Sequence, residues 1–129
     1  MTEQAQNITD QEIARAFIHN YNAAQEVARD LSMREGLVQF IMILGDRGAI
    51  SRGTSIPSKV VLEDFANSQS TLSAAGTELM LRGFIKKQIR RKDQRERYVY
   101  LSKKGVDSYI RATEIYRTQL GLNTLVDSS

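Results

Sequence analysis

The sequence predicts a mostly α-helical fold carrying one β-hairpin, and three observations make that prediction. Short polar capping residues precede runs of apolar residues spaced three and four apart. Two runs of strand-forming residues flank a strongly charged segment in the second half of the chain. The chain has 129 residues, 41% of them hydrophobic, which suits one core and hence one domain.

The helices can be placed in order. Thr9-Asp10-Gln11-Glu12 has the form of a capping box, with the Glu three residues after a Thr cap. Ile13, Phe17, Tyr21, Ala24, Ala28 and Leu31 follow at helical spacing, so a long first helix is expected up to Ser32. Ser32-Met33-Arg34-Glu35 repeats the box and predicts a second helix beginning where the first stops. Its stripe is Leu37, Phe40, Ile41 and Leu44, and Gly45 is expected to close it as a C-cap. Residues 45 to 55, with glycines at 45, 48 and 53, read as a flexible loop. A short strand at Ala49-Ile50 and a phosphate contact through Arg47 or Arg52 are the structured readings of that loop. A third helix is predicted from near Pro57 through Val60, Val61 and Phe65.

A fourth helix is predicted from Ser68 to Leu79, capped by Asn67 or Ser68. Leu72, Ala75 and Leu79 form its apolar side, while Gln69, Ser70, Ser73 and Thr77 offer short uncharged hydrogen-bonding groups on the other. Such groups approach base edges and phosphates closely, and a helix N-terminus itself attracts phosphate. Gly76 costs about 1 kcal/mol relative to Ala in a helix interior. It reads either as a close helix–helix contact or as a tolerated residue.

The next segment, Leu79 to Gly105, holds ten Lys or Arg residues and two acids, a net +8 in a chain whose total is +3. A globular fold has no need to gather positive charge this way. A polyanion-binding surface does, because each neutralised phosphate releases condensed counterions. Phe84, Ile85 and Ile89 form one strand-like run and Tyr98 to Leu101 another. The polar stretch Arg90 to Arg97 between them lacks Asn-Gly or Asp-Gly and exceeds a two-residue turn, so a protruding mobile loop is expected at the hairpin's end. Beyond it Ser102 is expected to cap a last helix, striped by Val106, Tyr109, Ile110, Thr113, Tyr116 and Leu120.

Several functions find no support. There is no cysteine, hence no disulfide framework, thiolate zinc site or thiol redox sensor. His19 is the only histidine, which makes a metal site unexpected. No nucleophile–base set or glycine-rich phosphate loop marks an enzyme, and no cofactor is called for. The acidic, polar start Met1 to Asp10 does not resemble a signal peptide, and no run of about eighteen apolar residues exists, so a cytoplasmic protein without a membrane span is expected. Tyr21, Tyr109 and Tyr116 are expected to build core or interface rather than to stack bases.

The order of a polar helix, Leu79-x-x-x-Gly83-Phe84-Ile85, Asp93-x-Arg95 and Leu101-Ser102-x-x-Gly105 resembles the winged helix-turn-helix DNA-binding domain of MarR-type transcriptional regulators. The resemblance is tightest over residues 66–106. It implies a homodimer binding double-stranded DNA to regulate transcription. The fourth helix would be the recognition helix, placing Gln69, Ser70, Thr71 and Ser73 in the major groove. The basic hairpin would be the wing, with Lys92, Arg95 and Arg97 meeting the minor groove and phosphates and Lys86, Lys87 and Arg91 adding backbone charge. Asp93 would orient the wing arginine Arg95; Arg91, Lys92 or Arg97 is the alternative wing arginine.

The resemblance also implies a division of the single domain 1–129 into an N-terminal dimerisation helix (1–32), a winged helix-turn-helix core (33–101) and a C-terminal dimerisation helix (102–125). Phe17, Tyr21, Ile110, Tyr116 and Leu120 are the expected interface residues. Two-fold symmetry would set the half-sites roughly 34 Å apart. The chain departs from the family in ending soon after Leu120 and in having no Arg or Lys on the recognition helix, with Ala74 where a larger polar residue is common. MarR-type proteins often bind small aromatic molecules, but no residue set here marks an effector pocket. Two other readings of the same features are an architectural or plasmid-maintenance protein with little sequence preference, and a protein–protein module docking an acidic partner.

Overall fold

The computed structural model describes residues 8–65, 68–90 and 93–121, with side chains throughout except at 90 and 93–96. Five α-helices and a three-stranded antiparallel sheet make up the described chain. Helix α1 (Asp10–Asp30) starts at Thr9, whose hydroxyl accepts the Glu12 N–H at 3.1 Å, as its sequence predicts. Its end differs from expectation. Ser32 takes a left-handed φ of 53°, and the Met33 N–H reaches back to the Ala28 carbonyl at 2.8 Å. That six-to-one bond closes α1 and buries Met33, so Ser32 is spent on ending α1 and does not cap α2.

Helix α2 (Glu35–Asp46) follows, with Arg34 at the N-cap position and no side-chain cap. It is the centre of the core: Leu37, Ile41 and Leu44 are fully buried, each contributing about 2 kcal/mol from removal of apolar surface. Gly45 is not its C-cap; the helix continues to Asp46 and is capped by Arg47. A Cβ at Gly45 would lie 2.1 Å from the Tyr109 ring, so this glycine lets the last helix cross α2 at close range.

Residues 47–57 are more ordered than a glycine-rich loop suggests. Arg52–Thr54 form a 3-10 turn, and β1 (Ile56–Pro57) pairs antiparallel with β3 through Ile56–Val99 and Pro57–Tyr98. The expected strand at Ala49-Ile50 does not form. Ala49 makes a single sheet-like bond instead, its carbonyl accepting the Leu101 N–H at 2.8 Å.

Pro57 sits immediately before α3 (Ser58–Asp64), and Ser68 caps α4 (Gln69–Leu81) by accepting the Thr71 N–H at 3.3 Å. Leu72, Ala75, Gly76 and Leu79 are the buried side of α4. A Cβ at Gly76 would meet Phe40 at 3.3 Å, which settles its role as a close contact between α4 and α2.

The hairpin is β2 (Ile85–Arg90) and β3 (Asp93–Leu101), with sheet order β1-β3-β2. The strands reach much further than their apolar runs, leaving only positions 91 and 92 between them. A long loop from Arg90 to Arg97 is therefore not what connects them. The ladder is regular from Ile85–Leu101 to Ile89–Arg97 and then shifts, pairing Arg90 with Asp93.

Helix α5 (Lys103–Leu120) is capped by the Ser102 hydroxyl on the Gly105 N–H at 3.1 Å. A Cβ at Gly105 would lie 2.0 Å from the Phe84 carbonyl oxygen, so only glycine lets α5 start against the base of the hairpin. Helix α5 then packs along α1, tied by Arg111 to Asp30 at 3.0 Å and by Gln119 to Glu26 at 2.7 Å. No helix among the described residues is long and apolar enough to cross a membrane.

Candidate nucleic-acid interface

A cleft of about 470 Å³ opens where α3, α4 and the hairpin meet. Helix α4 contributes Gln69, Ser73 and Thr77, α3 contributes Ser58, Lys59 and Leu62, and the strands contribute Lys87, Arg97 and Val99. Phe40, Leu72 and Gly76 complete its lining. Strand alternation explains the choice of cations. Lys87 pairs with Val99, and Ile89 with Arg97, so Lys87 and Arg97 share one face of the ladder as diagonal neighbours. The intervening Gln88 belongs to the opposite face, as does Lys86, which is exposed outside the cleft. The backbone at Arg97 is held by Ser58, whose hydroxyl donates to its carbonyl at 3.1 Å.

The residues expected on the recognition helix divide into two pairs. Gln69 and Ser73 are exposed and line the cleft. Ser70 and Thr71 are exposed too, but their hydroxyls lie 3.0 Å from the capping Ser68 hydroxyl and belong to a small cluster at the helix start. Thr77, expected on the same polar face, lines the cleft with Gln69 and Ser73, whereas Ser58 and Lys59 line it without being among the residues expected there from sequence. Ser58 and Lys59 depend on where α3 packs, which no local pattern shows.

Charge is sorted within the fold. Arg47 donates to Asp64 at 2.9 and 3.1 Å and lies 3.6 Å from Glu63. The Asp64 hydrogen bond and charge raise its pKa further above its ordinary value. That arginine is committed to tying α2 to α3 and is not a spare phosphate contact. Glu78, the acid of α4, pairs with Arg34 and Arg82 at the helix's far end. Among the described residues no carboxylate pairs with Lys86, Lys87 or Arg97.

The +8 segment does not act as one patch either. Lys104 donates to the Arg82 carbonyl at 2.9 Å and sits 4.3 Å from the Phe84 ring centroid, while Arg82 donates to the Ser32 carbonyl at 3.1 Å. These two cations brace the base of the hairpin. Arg91 and Lys92 lie outside the described residues. Asp93 and Arg95 lie on β3, where the side chains are not described, so their expected pairing falls outside the description as well.

At the other end of the molecule, the first half of α1 is exposed on all sides except near His19. Ile13, Phe17, Ile18 and Tyr21 are each more than half exposed, and the Phe17 and Tyr21 rings stack at 6.0 Å. Ile110 and Leu120 are exposed on α5. Tyr116 points elsewhere. It is half-buried and lines a second cleft, about 440 Å³, with Ala24, Glu35, Val38, Gln39 and Met42. Burial, and then the nearby Glu35 charge, push its hydroxyl pKa above the usual tyrosine value. The sequence marks no such cavity because its lining comes from three helices.

Several solved structures have this architecture. A MarR-like transcription regulator from Bacillus cereus ATCC 10987 superposes with a TM-score of 0.61 at 21% identity, covering 95% of this chain and 81% of that one. The fold is that of the MarR-like regulators. A mutant of MepR from S. aureus bound to an oligodeoxyribonucleotide gives a TM-score of 0.66 at 18% identity, covering 94% of this chain and 84% of its own. NadR in complex with 4-hydroxyphenylacetate gives 0.71 at 14% identity, covering 91% and 79%. No family model and no curated protein matches the sequence. The MarR-like likeness therefore rests on how the chain folds.

Proposed function

We propose that this chain binds double-stranded DNA as a homodimer and regulates transcription. The observation that carries the proposal is the shared cleft, in which Gln69, Ser73 and Thr77 face Lys87 and Arg97 with no carboxylate among the described residues to neutralise the two cations. Hydrogen-bonding groups without charge sit on the helix, and charge without base selectivity sits on the wing. Helix α4 enters the major groove with Gln69 and Ser73 foremost, while Ser70 and Thr71 at its N-terminus meet phosphate. The wing follows the flanking minor groove through Arg95, oriented by Asp93, with Arg91, Lys92 and Arg97 beside it and Lys86 and Lys87 on the backbone. Residues 33–101 form the DNA-binding core of a single 1–129 domain. Residues 1–32 and 102–125 form the dimerisation helices, where Phe17, Tyr21, Ile110 and Leu120 supply exposed apolar surface. The oligodeoxyribonucleotide bound by the MepR mutant is consistent with this reading. The Tyr116 cleft supports a small-molecule effector, in keeping with the 4-hydroxyphenylacetate held by NadR.

Because the helix lacks an arginine for bidentate guanine contact, the preference for a cognate site over random DNA is set near the low end of the usual range, about 10³. Much of that preference comes from groove shape, favouring A·T-rich flanks. The test is to recover bound sites by genomic footprinting, then titrate cognate, A·T-rich random and G·C-rich random duplexes, with polyglutamate as competitor. Polyglutamate displacing the duplex at equal charge would replace the DNA reading with an acidic protein partner. Equal affinity for all three duplexes would replace specific regulation with architectural coating.

A further inference from the structure

The 3-10 turn Arg52–Thr54 is a stiff object rather than a strap between α2 and β1. The Thr54 hydroxyl oxygen accepts the N–H groups of Ile50 and Ser51, both at 3.0 Å, and the Thr54 N–H donates to the Ser51 carbonyl at 3.1 Å. On either side of it the backbone is fastened to β3, through Ala49 to Leu101 before the turn and through Ile56 to Val99 after it.

Gln88 of the wing gives its whole side-chain amide to this turn. Its Oε1 accepts the Arg52 Nε–H at 2.9 Å, and its Nε2 donates to the Arg52 carbonyl at 2.9 Å and to the Ser55 hydroxyl. The amide can sit only one way round. A guanidinium only donates and a carbonyl only accepts, so a flipped Gln88 would set donor against donor and acceptor against acceptor.

The location of this contact gives it consequence. The ladder shifts register between Ile89 and Arg90, one residue beyond Gln88. Such irregularities bend and twist a hairpin, so the ladder alone does not fix the direction of the strand ends beyond them. Among the described residues, Gln88 is the last side chain of β2 before the shift that is bonded to the body of the protein. We infer that the 52–55 turn is a buttress setting the direction of the wing, and that Gln88 is the positioning residue through which it acts. The consequence for DNA binding rests on the function proposed above; the direction of the wing in the free protein does not.

The experiment uses both. The chain has no cysteine, so Ala74→Cys on α4 and Gln94→Cys on β3 beyond the shift can carry a spin-label pair in full-length protein diluted into unlabelled protein. A narrow distance distribution is expected for the parent. Gln88→Met keeps the side-chain length and loses the amide, and it should broaden or displace the distribution while the circular dichroism stays native. Thr54→Ala, which loosens the turn from within, should do the same, and the double variant should be no broader than either single one, since all act through one chain of contacts.

On a duplex, Gln88→Met should weaken binding about tenfold, and reduce the salt slope by about one as the wing gives up one phosphate. Partial unfolding would instead lower the active fraction and leave the slope alone. Parent-like distance distributions in both single variants would overturn the buttress. A broadened distribution with unchanged DNA affinity would uphold the buttress and overturn the part of the wing in DNA binding.

Discussion

Replacing Arg97 with Ala isolates the electrostatic contribution of the wing from its architecture. The guanidinium is exposed at the cleft and, among the described residues, pairs with no carboxylate, so its loss breaks no internal ion pair. The bond that does hold this position runs from the Ser58 hydroxyl to the Arg97 backbone carbonyl at 3.1 Å and survives the substitution. Fold stability should therefore stay within about 0.5 kcal/mol of the parent, as for most surface changes. Binding should not. A base-edge or minor-groove contact is worth about 1–3 kcal/mol, or about 5- to 150-fold in Kd, and a phosphate contact less. The two cases separate by salt. If Arg97 meets phosphate, its removal should reduce the slope of log K against log salt by about one, uniformly across sequences. If it enters a groove, its removal should also narrow the gap between A·T-rich and G·C-rich duplexes. Fluorescence anisotropy titrations between about 50 and 200 mM salt resolve both quantities. A folded Arg97→Ala protein with parental affinity and parental slope would refute the assignment of this cleft to DNA.

Gly105→Ala should destabilise the fold by about 3 kcal/mol, because the added methyl would meet the Phe84 carbonyl oxygen rather than a side chain able to move; urea unfolding at unchanged m-value measures it. Removing residues 1–31 should leave the inner side of α5 uncovered and yield aggregated or monomeric protein with poor DNA affinity, and a soluble intact dimer by sedimentation would remove α1 from the interface. Asp30 should titrate below the ordinary aspartate range because the Arg111 hydrogen bond, and then its charge, favour the carboxylate. Its contribution to stability is present above the unfolded-state pKa and lost as pH falls through the lowered folded-state value, and Arg111→Gln should return the NMR titration of Asp30 to normal.

Sequence makes the helices legible wherever a cap and an apolar stripe coincide. Thr9, Ser68 and Ser102 each cap the helix they precede, because a short hydroxyl beside an unbonded N–H is a local matter. Ser32 carries the same local signal and does something else. The burial of Met33 and its bond to Ala28 favour ending α1 there, an outcome decided by tertiary packing. The strand at Ile56–Pro57 leaves no trace in the sequence because two residues have no period, and its partner Val99 lies over forty residues away. For the same reason the 45–55 segment looks loose on sequence alone, since Gln88 holds it from another element.

At the candidate site the concentration of charge is plain in the sequence, but its destinations are not. Which cations reach the cleft depends on strand register and on Phe84, which draws Lys104 and Arg82 to the hairpin base. The α5 stripe points to an interface role for Tyr116, yet a stripe does not distinguish the side that lines a cleft with Val38 and Met42 from the side facing away.

Two close approaches of α5 have a mechanical consequence. At Gly45 it crosses α2 with its Tyr109 ring against the backbone, and at Gly105 its own backbone nests on Phe84 at the foot of the wing. The first junction sets the Tyr109 ring on the Gly45 backbone, the second sets backbone on backbone beside Leu101, and only Ser102 separates α5 from β3. Helix α5 and the foot of the hairpin therefore share one closely packed frame with α2. In a two-fold pair, any rotation of one α5 against the other would reappear as a change in the gap between the two wings. If the chain binds DNA as the dimer proposed above, such an arrangement would measure distance along its target, and a duplex with one base pair inserted between half-sites should fit poorly even when every contacted base is unchanged.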